Sequence, residues 1–419
     1  MRNKLLAGAI FVATTLALFA APHRSVRADE KDAKKDTPKK TEPWKPEDFI
    51  YTEFAGGVRI SPDARWVVWA KSTVDKEKDG RVSNLILSSL TDSTEIELTR
   101  GSDHNNSPVW SPNSERIAFL SDRKRPNAKP EAAGTQLWLI NPHGGEPWPL
   151  TEFARAPRHI DWLDNDTLIF SAQEDASLFE QEAKKKKDDS EVVDDEAHEP
   201  PVRLYKFSIK EKKVTRLTSN IDWIQSWAVS HDGKYVVASH GKSLRYAFDQ
   251  KFPPVVILHN LSDGTEKTIF TEGRVRPRGF EWAKDNSGFY ATAPFSTDPR
   301  FLTAGIELLY FYDVNAGKSV QVPLDWENGV GSDLAATPDG FIIGLAGGAR
   351  YQMAHYAREK SGDSWTWKRH NMEGEHARNT EGFEVSEDGK TIVYSHSTAS
   401  KLSQQYRAQI DGDKLVSPV

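Results

Sequence analysis

The 419 residues contain no cysteine and only three methionines. Without a thiol there is neither a disulfide framework nor thiolate chemistry, and the fold must hold by burial alone. A basic excess is missing too. There are 55 Lys and Arg against 61 Asp and Glu, a formal net charge of −6. Nucleic acid needs a basic footprint, so it is excluded as a partner. Long apolar runs are absent after the first one, Leu5 to Ala21, which is broken only by Gly8, Thr14 and Thr15 and preceded by Arg2 and Lys4. That pattern predicts an export signal over 1–28, with Val26-Arg27-Ala28 as the most signal-like cleavage site. An uncleaved anchor is the alternative, although the run is short for a membrane span. With no second such run, no membrane span is expected after signal removal, and the protein is expected to be periplasmic or secreted. Beyond residue 28 the net charge falls to about −10. Residues 29–45 are charged, contain proline and have few apolar side chains, which predicts a disordered linker.

What is present is a repeat. Ser61-Pro62-Asp63-Ala64, Ser111-Pro112-Asn113-Ser114, Leu163-Asp164-Asn165-Asp166, Ser230-His231-Asp232-Gly233, Lys284-Asp285-Asn286-Ser287, Thr337-Pro338-Asp339-Gly340 and Ser386-Glu387-Asp388-Gly389 are seven versions of one phrase. Five of the six intervals lie between 49 and 54 residues. A period of about 40–50 residues built from short strands and turns is the mark of a β-propeller. The fold class expected is therefore all-β: a seven-bladed propeller of four-stranded antiparallel blades over 46–419.

The second repeat shows the plan. Ser107 to Pro112 is a strand running into a turn, and Arg116 to Leu120 is a mostly apolar strand. Gln136 to Ile140 and Pro147 to Thr151 follow, separated by the turn Asn141-Pro142-His143-Gly144-Gly145. The phrase is the turn between first and second strands, where Pro sets φ and Asp or Gly tolerates tight geometry. Each blade is one continuous repeat, so the first and last blades should meet by packing without exchanging a strand. Between the second and third strands of repeat three lies an insertion, 174–201. It holds Lys184 to Lys187 and then acidic residues from Asp188 to Glu199, so a solvated, mobile loop is expected. Trp66, Trp110, Trp138, Trp162 and Trp282 recur at repeat positions, which predicts packing between blades and not a ligand platform.

The Ser-Pro-Asp turn, the Leu137-Trp138 third strand and the closures Leu98-Thr99, Leu150-Thr151 and Leu217-Thr218 resemble the repeats of TolB-type propellers. They also resemble the propeller half of the prolyl oligopeptidase family of serine peptidases. The lead-in Lys45-Pro46-Glu47-Asp48-Phe49, the insertion running into Pro200-Pro201-Val202-Arg203-Leu204-Tyr205, and Asp413 to Val419 are similar to the acylaminoacyl-peptidase and dipeptidyl-peptidase branch. The resemblance covers about residues 44–419. It implies a ring that gates peptide access to an α/β-hydrolase domain carrying Ser, Asp and His, the serine in a G-x-S-x-G elbow.

That elbow is not found. Gly241-Lys242-Ser243-Leu244 is followed by Arg245, Gly317-Lys318-Ser319-Val320 by Gln321, and Gly362-Asp363-Ser364-Trp365 by Thr366. The resemblance thus implies the non-catalytic half, with peptide substrates reached through a hydrolase domain encoded elsewhere. The rival expectation is a free-standing module that binds an envelope protein. The twelve histidines form no H-x-x-x-H or H-E-x-x-H arrangement. No residue is singled out as catalytic, cofactor-binding or metal-ligating, and no cofactor is expected. The acidic residues Asp188, Asp189, Glu191, Asp194, Asp195, Glu196 and Glu199 are weighed as contacts for a substrate amine, because a cation in a dry cleft needs an anionic partner.

Overall fold

A computed structural model of the protein describes residues 45–125, 134–187, 196–272, 275–298, 300, 305–362 and 364–419. The expected signal peptide, nearly all of the linker and the acidic run 188–195 lie outside the described residues. The chain divides into two compact units, Met1–Pro46 and Glu47–Val419, and every strand described belongs to the second. No helix among the described residues is long and apolar enough to cross a membrane.

The strands form five four-stranded sheets and one eight-stranded sheet. Within each four-stranded sheet the strands follow in chain order and pair antiparallel, as Phe54–Ile60, Trp66–Asp75, Gly80–Ser89 and Glu95–Glu97 do in repeat one. The eight-stranded sheet consists of two such units, 158–216 and 223–269, joined by one parallel pair, Val202 with Trp223. Every phrase falls between the first and second strands of its unit, as the repeat predicts.

The turn is held by more than φ preferences. Ser61 Oγ donates to Asp63 Oδ1 at 2.6 Å and accepts the Trp66 N–H at 3.0 Å. Ser111 does the same with Asn113 and Arg116, Ser230 with Asp232 and Tyr235, and Ser386 with Asp388 and Thr391. The serine is buried, and the carboxylate or amide two residues on satisfies its hydroxyl. The next residue takes the left-handed region, φ 55° at Ala64 and 68° at Gly233. Only glycine serves at 233, where a Cβ would lie 2.6 Å from the Leu163 carbonyl oxygen.

The Leu-Thr closure proves to be a backbone cap. Thr99, Thr151 and Thr218 are buried just past their outer strands, and their Oγ1 atoms accept the N–H of Leu85, Leu137 and Leu204 at 2.9, 3.0 and 3.1 Å. The preceding leucine continues the ladder, with Leu98 N, Leu150 N and Leu217 N each 2.8 Å from a third-strand carbonyl. The tryptophans tie neighbouring units together. Trp110, Trp162 and Trp282 Nε1 donate to the carbonyls of Arg59, Val109 and Ala228, one repeat back, at 3.0, 3.2 and 3.1 Å. The expectation that these rings pack between units holds.

Apolar clusters fill the spaces between successive units. Phe311, Tyr290, Phe341 and Tyr356 are among the twelve buried residues that join repeats five and six. Repeats one and seven meet more thinly. Their apolar contact is Ile60, Val67, Leu90 and Val393. Polar contacts add to it: Arg407 Nη1 donates to the carbonyls of Ser89 and Asp92 at 2.7 and 3.1 Å, and Glu384 joins Arg59 and Ile60. Among the described residues no strand of repeat one enters the sheet of repeat seven.

The described part of the insertion of repeat three is mostly exposed, as its charge predicts, and contains a helix that the loop expectation did not include. Residues Leu178–Lys186 form a helix opened by a capping box, Ser177 with Glu180. Arg155 pairs with Glu180 and Arg203 with Glu174, and both contacts tie the segment to the sheet. The pattern Ser177-x-x-Glu180 ahead of a run free of Gly and Pro was the available signal.

Candidate functional site

The inner strands share a bulge. Register shifts occur in those of repeats one, two, three, four, six and seven, the skipped residue of repeat three being His159. Four residues before the start of the turn, Gly57, Ser107, His159 and Gly382 have φ of 59°, 50°, 34° and 58°. A bulge re-aims the side chains that follow it. Two residues before the position of the turn serine, which Ala283 holds in repeat five, the repeats carry Arg59, Val109, Asp161, Ala228, Glu281, Ala335 and Glu384. All but Val109 line one cavity of about 420 Å³, together with His159, Trp227, Lys284 and Glu387. A single repeat position thus builds a charged channel lining, with small residues alternating among the charges of repeats three to seven.

The charges are partly paired. Glu384 Oε2 takes Arg59 Nη1 at 3.0 Å, and its Oε1 accepts the Ile60 N–H at 2.7 Å. Lys284 Nζ meets Glu387 Oε1 at 2.8 Å, linking the turns of repeats five and seven at the end of the channel. Asp161 accepts the Trp162 N–H at 2.8 Å, and Glu281 has a long contact from Ala336 N at 3.4 Å. Burial pushes Asp161 up to about 6 and Glu281 up to about 7. Burial also raises Glu384 above the usual carboxylate range, against the opposing pull of Arg59. His159 packs edge-on against Trp227 with ring centroids 4.5 Å apart, and burial lowers its pKa. The lining is therefore a set of carboxyl groups whose charge changes near neutral pH. When ionised, it favours cations and amines.

The units have two unlike ends. At one end each inner strand begins and each second strand runs into the third; the phrase turns lie at the other. Phe54, Phe179, Ile221, Phe248, Phe252 and Leu402 are all exposed, and all lie at the first end. None of the seven phrase turns presents an exposed large apolar side chain. Apolar side chains left exposed at one end make that end the candidate interaction surface of the units.

The acidic residues weighed as amine contacts are not brought to the channel where they are described. Glu196 Oε1 accepts from Ser243 Oγ at 2.5 Å and from the Leu244 N–H at 2.7 Å, so it fastens the insertion to repeat four. Glu199 takes Gln173 Nε2 at 2.5 Å. The channel residues were missed because sequence reasoning looked for runs of acids, and these lie about 100–120 residues apart. Superposing the repeats two residues before the turn would have found them.

Four-stranded antiparallel units whose inner strands line a channel define a β-propeller. No family model matches the chain. An uncharacterized peptidase of Bacillus subtilis, YuxL, is 26% identical over 201 residues, which cover 43% of this chain and 28% of that protein. Acylaminoacyl peptidase of Pyrococcus horikoshii has the same fold over 88% of this chain and 53% of its own, at 16% identity and a TM-score of 0.60. The propeller domain of the Trilobed protease from Pyrococcus furiosus, which has an open velcro topology, matches 87% of this chain and 95% of its own, at 15% identity and a TM-score of 0.56. The chain thus spans about a quarter of the curated relative and about half of the solved acylaminoacyl peptidase. Similarity to solved structures at this identity shows the fold.

Proposed function

We propose that this chain is the seven-bladed, substrate-gating propeller of an exported serine peptidase of the prolyl oligopeptidase family. The eight-stranded sheet counts as two blades. Bond cleavage belongs to an α/β-hydrolase module outside these 419 residues, and the propeller admits peptides and excludes folded proteins. The observation that carries this reading is the shared fold with roughly half of a peptidase chain, supported by the peptidase relative. The apolar end of the blades is where the hydrolase module seats. The channel then leads from solvent at the turn end to the covered side, past Arg59, Asp161, Glu281 and Glu384.

The test uses aminoacyl and acyl-peptide chromogenic substrates with the purified chain, alone and joined to the hydrolase module encoded beside it. Turnover is expected only with the module, and turnover by the chain alone would refute the reading. Sequencing the N-terminus of the mature protein tests export, with Asp29 expected first. The exposed apolar end also supports the second reading, a module that docks an envelope protein. Absence of any hydrolase gene near this one would decide for it.

A further inference from the structure

The histidines are scattered in sequence, but two meet inside repeat four. His240, on Tyr235–Gly241, and His259, on Val255–Asn260, are 0% and 4% exposed, and their Nε2 atoms lie 3.2 Å apart. The ring centroids are 5.4 Å apart, about 2 Å more than the nitrogens, so the two nitrogens point at each other along the line joining the rings. Each Nδ1 faces a carboxylate. His240 Nδ1 lies 2.7 Å from Asp222 Oδ1, and His259 Nδ1 lies 3.2 Å from Glu266 Oε1. Asp222 also accepts from Asn220 Nδ2 at 2.9 Å and pairs with Lys242. One line of polar contacts thus crosses the four strands of the blade, from Asp222 ahead of the inner strand to Glu266 on the outer one.

The proton count follows from donor chemistry. A carboxylate only accepts, so each Nδ1 carries a proton. Two neutral rings would then oppose lone pair to lone pair at Nε2, and two imidazolium ions would oppose N–H to N–H. A single additional proton satisfies both rings. We propose that His240 and His259 share one proton and form a buried pH-sensitive latch that holds the loop 242–254 at the apolar end of the propeller.

The surrounding charges agree with this count. Asp222 and Glu266 are balanced by Lys242 and the shared proton. Lys242 opens the loop, which carries the exposed Phe248 and Phe252. Glu196, at the end of the insertion, grips Ser243 and Leu244 immediately beyond Lys242. From the neighbouring unit, Arg203 Nε donates to the Asn220 carbonyl at 2.8 Å. A second proton would drive the rings apart and disturb Asp222, the anchor of Lys242. Burial, with the charge of His240, lowers the pKa of His259, so that proton is taken up only in acid. The sign is that of a depressed base: the stabilisation is present at neutral pH and lost as pH falls through the lowered value.

The test is histidine-selective nitrogen NMR on the full chain, with amide exchange of residues 243–252 followed across the same pH range. At neutral pH both Nδ1 atoms should be protonated, with one downfield proton shared between the Nε2 atoms. Its loss in acid should coincide with loss of protection in the loop. His259→Gln should abolish the acid step in loop protection. Glu266→Gln, a change at an exposed side chain, lets the amide donate to His259 Nδ1. That ring then becomes neutral with its proton on Nε2, so the Nδ1 proton of His259 should be lost at neutral pH while the proton between the Nε2 atoms stays, without unfolding. Overturning results are an unprotonated Nδ1 on either ring at neutral pH, or loop protection that ignores the titration of the pair. Should His259→Gln fail to fold, the spectra of the unmodified chain and of Glu266→Gln decide.

Discussion

Glu281 is the sharpest probe of the channel. Its carboxyl is raised to about 7 by burial, against an ordinary value near 4.3. Each tenfold change in proton affinity corresponds to about 1.4 kcal/mol, so full burial would make ionisation cost roughly 3–4 kcal/mol of stability. Glu281 keeps part of its surface open to the cavity, and solvent there reduces the figure to roughly 1–2 kcal/mol. The sign is that of a raised acid. The neutral carboxyl is tolerated below the unfolded value, and stability falls as pH rises through about 7. Glu281→Gln removes the titration while keeping the shape. Denaturant unfolding of both proteins at pH 5 and pH 8.5 should show the glutamine variant gaining on the parent by roughly 1–2 kcal/mol across that range. A difference that stays constant with pH would show that Glu281 is as well hydrated as a surface carboxylate, and the picture of a channel whose charge changes near neutrality would fall.

Further outcomes follow from the repeat-locked contacts. Thr151→Val keeps the volume but strands the Leu137 N–H, so a loss of about 1–3 kcal/mol in chemical unfolding is expected. Trp282→Phe removes the Nε1 bond to the Ala228 carbonyl and should lower stability by about 1–2 kcal/mol, with Trp162→Phe similar at Val109. Glu384→Ala leaves the Ile60 N–H without its carboxylate acceptor and Arg59 without its ion pair; limited proteolysis should then cut first within repeat one or repeat seven, the two units this contact joins. Ser177→Ala removes the capping box and should cost the helix Leu178–Lys186 about 1 kcal/mol, read as faster amide exchange confined to that segment.

Much of the scaffold was legible because it is written in local chemistry repeated many times. Ser61 with Asp63, and Leu98 with Thr99, act within one turn or one strand pair, so their spacing survives in the sequence. The candidate site was harder to see. Arg59 and Glu384 lie at opposite ends of the propeller sequence yet share an ion pair. Asp161 and Glu281 are isolated acids in their own segments. His240 and His259 belong to no metal-ligand spacing, and only the pairing of their two strands brings their nitrogens together. The insertion was legible in its charge, since Lys184 to Lys187 are exposed, but not in its shape: Ser177 and Glu180 start a helix and Glu196 fastens its far end to repeat four.

The chain by itself determined that strands and turns recur with one period, where each turn falls, and that no G-x-S-x-G elbow lies within these residues. These are properties of near neighbours, set by hydrogen bonds and φ values that a few residues decide. The tertiary structure alone decided that one position per repeat faces a common channel, that its acids are buried enough to titrate near neutral pH, and that the exposed apolar side chains gather at one end. Those properties come from closing distant segments on each other. Desolvation and proximity exist only once the repeats are packed.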